Sequence, residues 1–296
     1  MRKETMKKLF ICLLIVPLFG VNGCRKEAQN APRFQRNNVT RDFDFAPLEE
    51  QTDMEFPPEI TPPTETDTPP DVWDVSDVDV SQIDPTKKLI SFTFDDAPTR
   101  KLENLFAVFA NFNEQNPDCT ASATYFFNGN LFDNENFQLL HTALAMGFEL
   151  GNHTFSHYDL STLSEAEIQR EIQKTDEILQ RTDGKKYHLL RAPFGRVNDL
   201  VKNLSPTPLI DWSIDTVDWK GVTADEIYEQ VMQNAFSGAI VLFHDGYTQT
   251  IEAVKRLLPD LKDNGYQIVS VSQLAKMHNC NLQRGKVYIR AKKQGK

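Results

Sequence analysis

The chain has 296 residues, 42 acidic and 32 basic, for a formal net charge of −10. With no basic stripe and no nucleic-acid motif, nothing marks DNA or RNA as a partner. Between Asp42 and Thr86 stand fourteen acidic residues and no Lys or Arg. The rest of the chain is therefore slightly basic, and the low pI describes this tract and says little about a substrate.

Residues 1–24, MRKETMKKLFICLLIVPLFGVNGC, have a basic start and an apolar run of signal-peptide length. Val21-Asn22-Gly23-Cys24 resembles a bacterial lipobox, in which a small residue precedes a Cys that becomes lipidated and N-terminal. Asn22 departs from the usual pattern, leaving an ordinary cleaved signal or an uncut anchor as alternatives. All three export the rest of the chain, and lipidation at Cys24 tethers it to a membrane at the cell envelope. Residues 25–86 read as an acidic, Pro-rich linker, and half of the sixteen prolines lie between Asp42 and Thr86. It has too little apolar content to offset its ordering entropy, so it is expected to be an extended, disordered spacer. The one exception is DVWDVSDVDV, whose Val72, Trp73, Val75, Val78 and Val80 have the composition to pack on a neighbouring surface. A chain starting near Lys87 is expected to carry the fold and the chemistry.

Residues 87–296 form one domain-sized unit in which strand and helix patterns alternate. The spacing predicts strands over 89–94, 123–128, 148–151, 189–190, 208–215, 239–244 and 267–271. It predicts helices over 102–112, 136–146, 164–182, 223–236 and 250–264. Ser164 with Glu167 and Thr223 with Glu226 have capping-box spacing, and Gly147, Gly184 and Gly265 stand just past helix ends. Such alternation implies a parallel sheet wrapped by helices, either open or closed into a barrel. In both, functional groups gather at the C-terminal ends of the strands.

Six polar residues follow such strand ends: Asp95 and Asp96, His153, Arg191, Asp215 and His244. Singly each reads as structural; together they suggest a site. His153 and His157 are four apart, which puts two imidazoles on one face if a helix begins there. No Glu follows His153, so this is not the HExxH of zinc peptidases. With Asp96 as third ligand the set becomes a His₂Asp site with open positions for water and substrate. Water beside such a metal is acid enough to be a hydrolytic nucleophile. Asp95, next to a ligand, is placed to take its proton. Adjacent strand residues point opposite ways, so the two Asp can converge only where the strand breaks. Arg191 pairs with Asp95 and keeps it ionised. Pro193 and Gly195 make a tight turn able to aim an N–H at an oxyanion. His244 is the candidate acid for the leaving group, oriented by a carboxylate. Asp215 is taken as that carboxylate, ahead of Asp218.

The chain resembles the polysaccharide deacetylases, carbohydrate esterase family 4, over about Lys87 to Ala275. Five motifs occur in order: Thr93–Asp96 (TFDD), His153–His157 (HTFSH), Arg191–Gly195 (RAPFG), Asp215–Trp219 (DTVDW) and Leu242–His244 (LFH). The resemblance implies a distorted parallel (β/α) barrel and metal-dependent hydrolysis of N-acetyl groups on GlcNAc- or MurNAc-containing polysaccharide. In some branches O-acetyl groups are removed instead. It implies one divalent metal, zinc first with cobalt or nickel as alternatives, on Asp96, His153 and His157. It further implies Asp95 as base, Arg191 as its orienting partner and His244 as acid. The backbone amide after Pro193, carried by Phe194, serves the oxyanion, and Trp219 and Leu242 wall the acetyl pocket.

Two departures stand out. DDAP replaces the family's usual DDGP, and Ala97 takes positive φ less freely than Gly. Phe194 stands where Tyr is usual. Cys119 and Cys280 form a disulfide or remain two thiols. The competing readings are an acetyl esterase acting on xylan and a carbohydrate-binding lipoprotein without activity. No serine nucleophile motif GxSxG occurs, and no protein partner is indicated.

Overall fold

The computed structural model describes residues 68–292. The leader, Cys24 and most of the acidic tract lie outside the described residues. Among the described residues, no helix is long and apolar enough to cross a membrane.

The central strand is β1 (Lys88–Ala97), whose residues from Leu89 onward are nearly all buried. Its C-terminal half pairs in parallel with β2 (Thr124–Phe127), which pairs with β3 (Glu149–Asn152). Leu190 then bridges Asn152 and Leu209, the latter in β4 (Leu209–Ile210). Three residues later β5 (Ile214–Asp215) pairs with β6 (Ile240–His244), and β6 returns to β1. The circuit is thus closed by the segment 209–215, which hands over from one neighbour to the next. The single strand predicted over 208–215 is therefore two short ones: the Asp211 N–H bonds to Tyr288 O, whereas that of Ser213 bonds to Ile240 O. β7 (Tyr266–Val269) pairs with the first half of β1, and β8 (Val287–Tyr288) lies outside β4.

Helices α1 (Leu102–Gln115), α2 (Gln138–Ala145), α3 (Glu165–Asp183), α5 (Ala224–Asn234) and α6 (Thr248–Asp263) fall where the apolar spacing puts them. Both capping boxes form, and Gly184 ends α3 at φ 73°. Two short helices are unanticipated: α4 (Asp199–Leu204) and α7 (Val271–Met277). The first spans too few residues to show a period. The second continues the β-branched run of β7, and its signal is the Ser270–Gln273 capping box. Beneath the sheet lies an aromatic cluster. Phe94 stacks on Tyr125 and Phe243 with centroids 4.8 and 5.3 Å apart, and Phe106 meets Tyr125 edge-on. Cys119 and Cys280 are separate thiols.

The boundary expected at Lys87 moves toward the N-terminus. Ile83 is buried, and Trp73 and Val80 pack with it against Leu274, Ala275 and Leu282. Trp73 Nε1 donates to Ser272 Oγ, the Lys276 ammonium donates to the carbonyls of Ser76 and Val78, and Val72 bridges Gln283. Residues 71–84 are therefore a strap packed on the folded unit and not part of a spacer. Each such apolar side chain contributes about 1.5–3 kcal/mol when fully buried. A chain starting at Lys87 is accordingly expected to melt on the order of 10 °C below one starting at residue 68. Equal thermal midpoints would show that the strap contributes no stability.

A second charged cluster fills the space between α3 and the sheet. His188 is buried, with Nδ1 2.9 Å from Asp176 Oδ1 and Nε2 3.2 Å from Asp183. Burial pushes the imidazole pKa down, but the hydrogen bonds it donates to the two carboxylates outweigh it and lift it to about 9. Burial raises the Asp176 carboxyl above its ordinary value, against the pull of His188 and Asn152. Because the folded-state pKa of His188 is raised, its contribution is fully present below about pH 6.5. It is lost as pH rises through about 9. A gap of this size corresponds to roughly 3 kcal/mol. Wild type should lose stability between pH 7 and 10, and His188→Gln should flatten that limb. Parallel denaturant titrations of the two proteins check this.

Candidate metal and acid–base site

At the C-terminal end of β1 the regular alternation fails. The register with β2 slips between Phe94 and Ala97, and Asp96 takes φ 63°. That turn brings Asp95 and Asp96 toward one place although they are neighbours. Asp96 takes the left-handed conformation and Ala97 does not, so Ala in place of Gly carries no φ penalty there.

His153 and His157 do meet, with ring centroids 4.9 Å apart, but not through a helix. The segment is a loop in which Thr154 (φ 69°) and His157 (φ 56°) are both left-handed. Two non-Gly residues at positive φ in five positions are backbone strain held by local bonds. Asn152 Oδ1 accepts from the Thr154 N–H, Thr154 Oγ1 accepts from the His157 N–H, and the Asn128 carboxamide donates to His153 O.

His157 Nε2 lies 3.4 Å and His153 Nε2 3.8 Å from Asp96 Oδ1. One donor atom from each of the three residues falls within 4.8 Å of the others. His153 Nδ1 is 2.8 Å from the Arg191 carbonyl, an acceptor only, so Nδ1 carries the proton and Nε2 turns its lone pair into the site. Burial, then the neighbouring His153, pushes the His157 pKa down, favouring the neutral imidazole that binds a metal. Two imidazole nitrogens and one carboxylate oxygen converging on one place fit a divalent ion.

Asp95 is buried and turned to a different partner. Its Oδ1 accepts from Arg191 at 2.8 Å, and Oδ2 is 3.6 Å from His153 Nε2. Burial alone would raise its pKa, but the Arg191 charge, then His153 and His244, outweigh it and hold the carboxyl below its ordinary value. Arg191 is fully buried, with further acceptors in Thr93 Oγ1 and the carbonyls of Ile210 and Asp211. Phe126 lies 4.2 Å beneath its guanidinium.

On β6, Leu242 and His244 pair with Thr93 and Asp95 of β1, so all four belong to one face. The carboxylate beside His244 is Asp218 and not Asp215, which corrects the expectation from the sequence. His244 Nδ1 is 2.7 Å from Asp218 Oδ1, and Asp218 Oδ2 accepts from the His244 N–H and from Thr250. Asp215 instead accepts from the Val217 N–H, building the turn in which Val217 reaches φ 49°. Two residues beyond the end of β5, the turn inserts Asp218 behind His244, where it is fully buried. Strand spacing alone cannot show that reversal. Burial pushes the His244 pKa down, but the Asp218 hydrogen bond, then the Asp95 charge, outweigh it and raise it.

Pro193 is buried and opens a tight turn in which Phe194 (φ 62°) and Gly195 (φ 63°) are both left-handed. A Cβ on Gly195 would stand 3.0 Å from the Trp212 ring, so the turn lies directly on that indole. The Phe194 side chain is exposed and meets His157 with centroids 4.8 Å apart. Trp219 is half exposed beside Asp218, and Leu242 is buried two residues before His244. Sequence reasoning assigned no role to Thr93 or Thr250, which hold Arg191 and Asp218. The only signal for Thr93 is its place in TFDD.

Residues 82–206 match the family model for polysaccharide deacetylase. Over 192 residues the chain is 32% identical to the peptidoglycan-N-acetylmuramic acid deacetylase PdaC of Bacillus subtilis, covering 65% of this chain and 40% of that protein. Over 196 residues it is 33% identical to a peptidoglycan-N-acetylglucosamine deacetylase of Bacillus cereus, covering 64% of this chain and 68% of that one. The solved structure of Bacillus subtilis PdaC matches with a TM-score of 0.61 at 31% identity, over 67% of this chain and 94% of that one. The chain belongs to the polysaccharide deacetylase family. It spans less than half the length of PdaC and about two thirds of the Bacillus cereus enzyme.

Proposed function

We propose that this chain is a metal-dependent hydrolase removing N-acetyl groups from a GlcNAc- or MurNAc-containing polysaccharide, with peptidoglycan as the leading substrate class. The carrying observation is the division of labour between neighbours: Asp96 converges with both His153 and His157, whereas Asp95 is bound by Arg191 and comes near His153 alone. The relatives' names, both peptidoglycan deacetylases, support the substrate class.

Asp96, His153 and His157 would hold a divalent ion, zinc first, which would supply Lewis acidity for the acetyl carbonyl and for a nearby water. Asp95, kept ionised by Arg191, takes the proton from the attacking water. The backbone N–H of Phe194, in the turn on Trp212, donates to the oxyanion. His244, held as an imidazolium by Asp218, gives its proton to the departing amine nitrogen. Leu242 and Trp219 flank the acetyl methyl. The chain is exported through its leader and tethered by a lipid on Cys24.

Acetate release from peptidoglycan, N-acetylglucosamine oligomers and acetyl-xylan, with and without chelator, tests the reading. Chelator-sensitive release from one of the first two is expected. Release from acetyl-xylan alone would make the enzyme an O-acetyl esterase, and no release from any would remove the catalytic reading.

A further inference from the structure

The buried cluster of His188, Asp176 and Asp183 takes no part in the chemistry above, yet it joins the metal-ligand loop through one residue. Asn152, the last residue of β3, donates through Nδ2 to Asp176 Oδ1 at 2.9 Å and to Ile172 O at 2.9 Å. Its Oδ1 accepts from the Thr154 N–H at 2.8 Å. A carboxamide has one acceptor end and one donor end, so its partners fix which way it faces. Asp176 as a carboxylate only accepts, and that forces Nδ2 toward it and Oδ1 toward Thr154. In the reverse orientation an NH₂ would confront the Thr154 N–H while two oxygens faced each other at Asp176. His188 in turn donates to the same Asp176 oxygen, and its second nitrogen faces Asp183, so both carboxylates are compensated inside the protein.

Thr154 is where this matters. It is a β-branched residue at φ 69°, a conformation kept only where surrounding contacts enforce it. It lies between His153 and His157, and its hydroxyl caps the His157 amide.

We propose that the His188–Asp176 pair is a positioning device for the metal ligands, acting through the Asn152 carboxamide on the left-handed turn at Thr154. It rests on the reading of Asp96, His153 and His157 as metal ligands, and none of its three residues belongs to that set. Groups that orient ligands from behind change metal affinity by about 10- to 100-fold when removed.

The test uses His188→Ala and Asn152→Ala, singly and together, with Asp176→Asn as a near-isosteric variant in case His188→Ala fails to fold. Two quantities are read in folded protein: Zn²⁺ affinity by competition with a chromophoric chelator, and hydrogen exchange of the Thr154 amide in metal-free protein. Each single variant is expected to weaken Zn²⁺ binding about tenfold or more. Each should also speed Thr154 exchange beyond what its loss of global stability explains. The double variant is expected to be little worse than Asn152→Ala alone, because both act along one path. A merely structural cluster would lower the thermal midpoint and leave both quantities at wild-type values, which overturns the proposal. If wild type binds no Zn²⁺, the metal reading fails, and unchanged Thr154 exchange in the variants would still dismiss the positioning role on its own.

Discussion

Asp95→Asn is expected to keep its metal and lose acetate release by about two to four powers of ten, the usual range for removing a general base. The structure separates this residue from its neighbour. Asp95 is buried and bound to Arg191, whereas Asp96, across the strand break, lies 3.4 and 3.8 Å from the two imidazoles. The asparagine keeps an oxygen for Arg191, and the guanidinium retains Thr93 and the Ile210 and Asp211 carbonyls. The fold should therefore survive with a cost of about 1–3 kcal/mol, that of a weakened buried polar contact. Asp96→Asn is expected to do the reverse: it should lose metal affinity, with activity partly restored by excess metal. Bound metal and acetate release measured side by side decide between them. Metal loss in Asp95→Asn with retention in Asp96→Asn would mean that the roles are exchanged. Near-normal activity in both would place the catalytic centre elsewhere.

The parts of this site that were legible in the sequence are those set by strand ends. A parallel sheet fixes where its strands stop, and Asp95, His153, Arg191 and His244 each stand at or just past the end of a short strand pattern, so their convergence follows from topology. The helices were legible for a similar reason, since Ser164–Glu167 and Thr223–Glu226 mark their starts in residue types. What escaped is what left-handed backbone does. Asp96, Thr154, His157, Phe194 and Val217 all take positive φ without being Gly. Asp and His tolerate that conformation better than most residues but do not announce it, and at Thr154, His157 and Val217 it goes with side-chain-to-backbone bonds two or three residues long that no strand or helix period reveals. This is why His153 and His157 read as a helix face and not as a strained loop. The strap at 71–84 was obscured differently: its acidic, Pro-flanked composition outweighs three apolar side chains in any compositional reading, although those three find a surface.

Asp218→Asn should reduce acetate release by about two to four powers of ten, and Asp215→Asn by no more than about threefold. The two carboxylates are three residues apart in one motif, and only the first of these effects follows from contact with the acid. Asp218 is fully buried and accepts from His244 Nδ1, from the His244 amide and from Thr250, so its charge both orients the ring and favours the imidazolium. Among the described residues the Asp215 side chain accepts from the Val217 amide, and an asparagine oxygen can do the same. The pH profile gives a second readout. The acid must be protonated to serve the leaving amine, so activity falls as pH rises through the His244 pKa, which lies above the ordinary value. Removing the Asp218 charge lowers that pKa, and the alkaline limb of the residual activity should move to lower pH. In Asp215→Asn the limb should stay where it is. A limb that moves in Asp215→Asn and not in Asp218→Asn would return the orienting role to Asp215. A limb that moves in neither would mean that a group other than His244 protonates the leaving nitrogen.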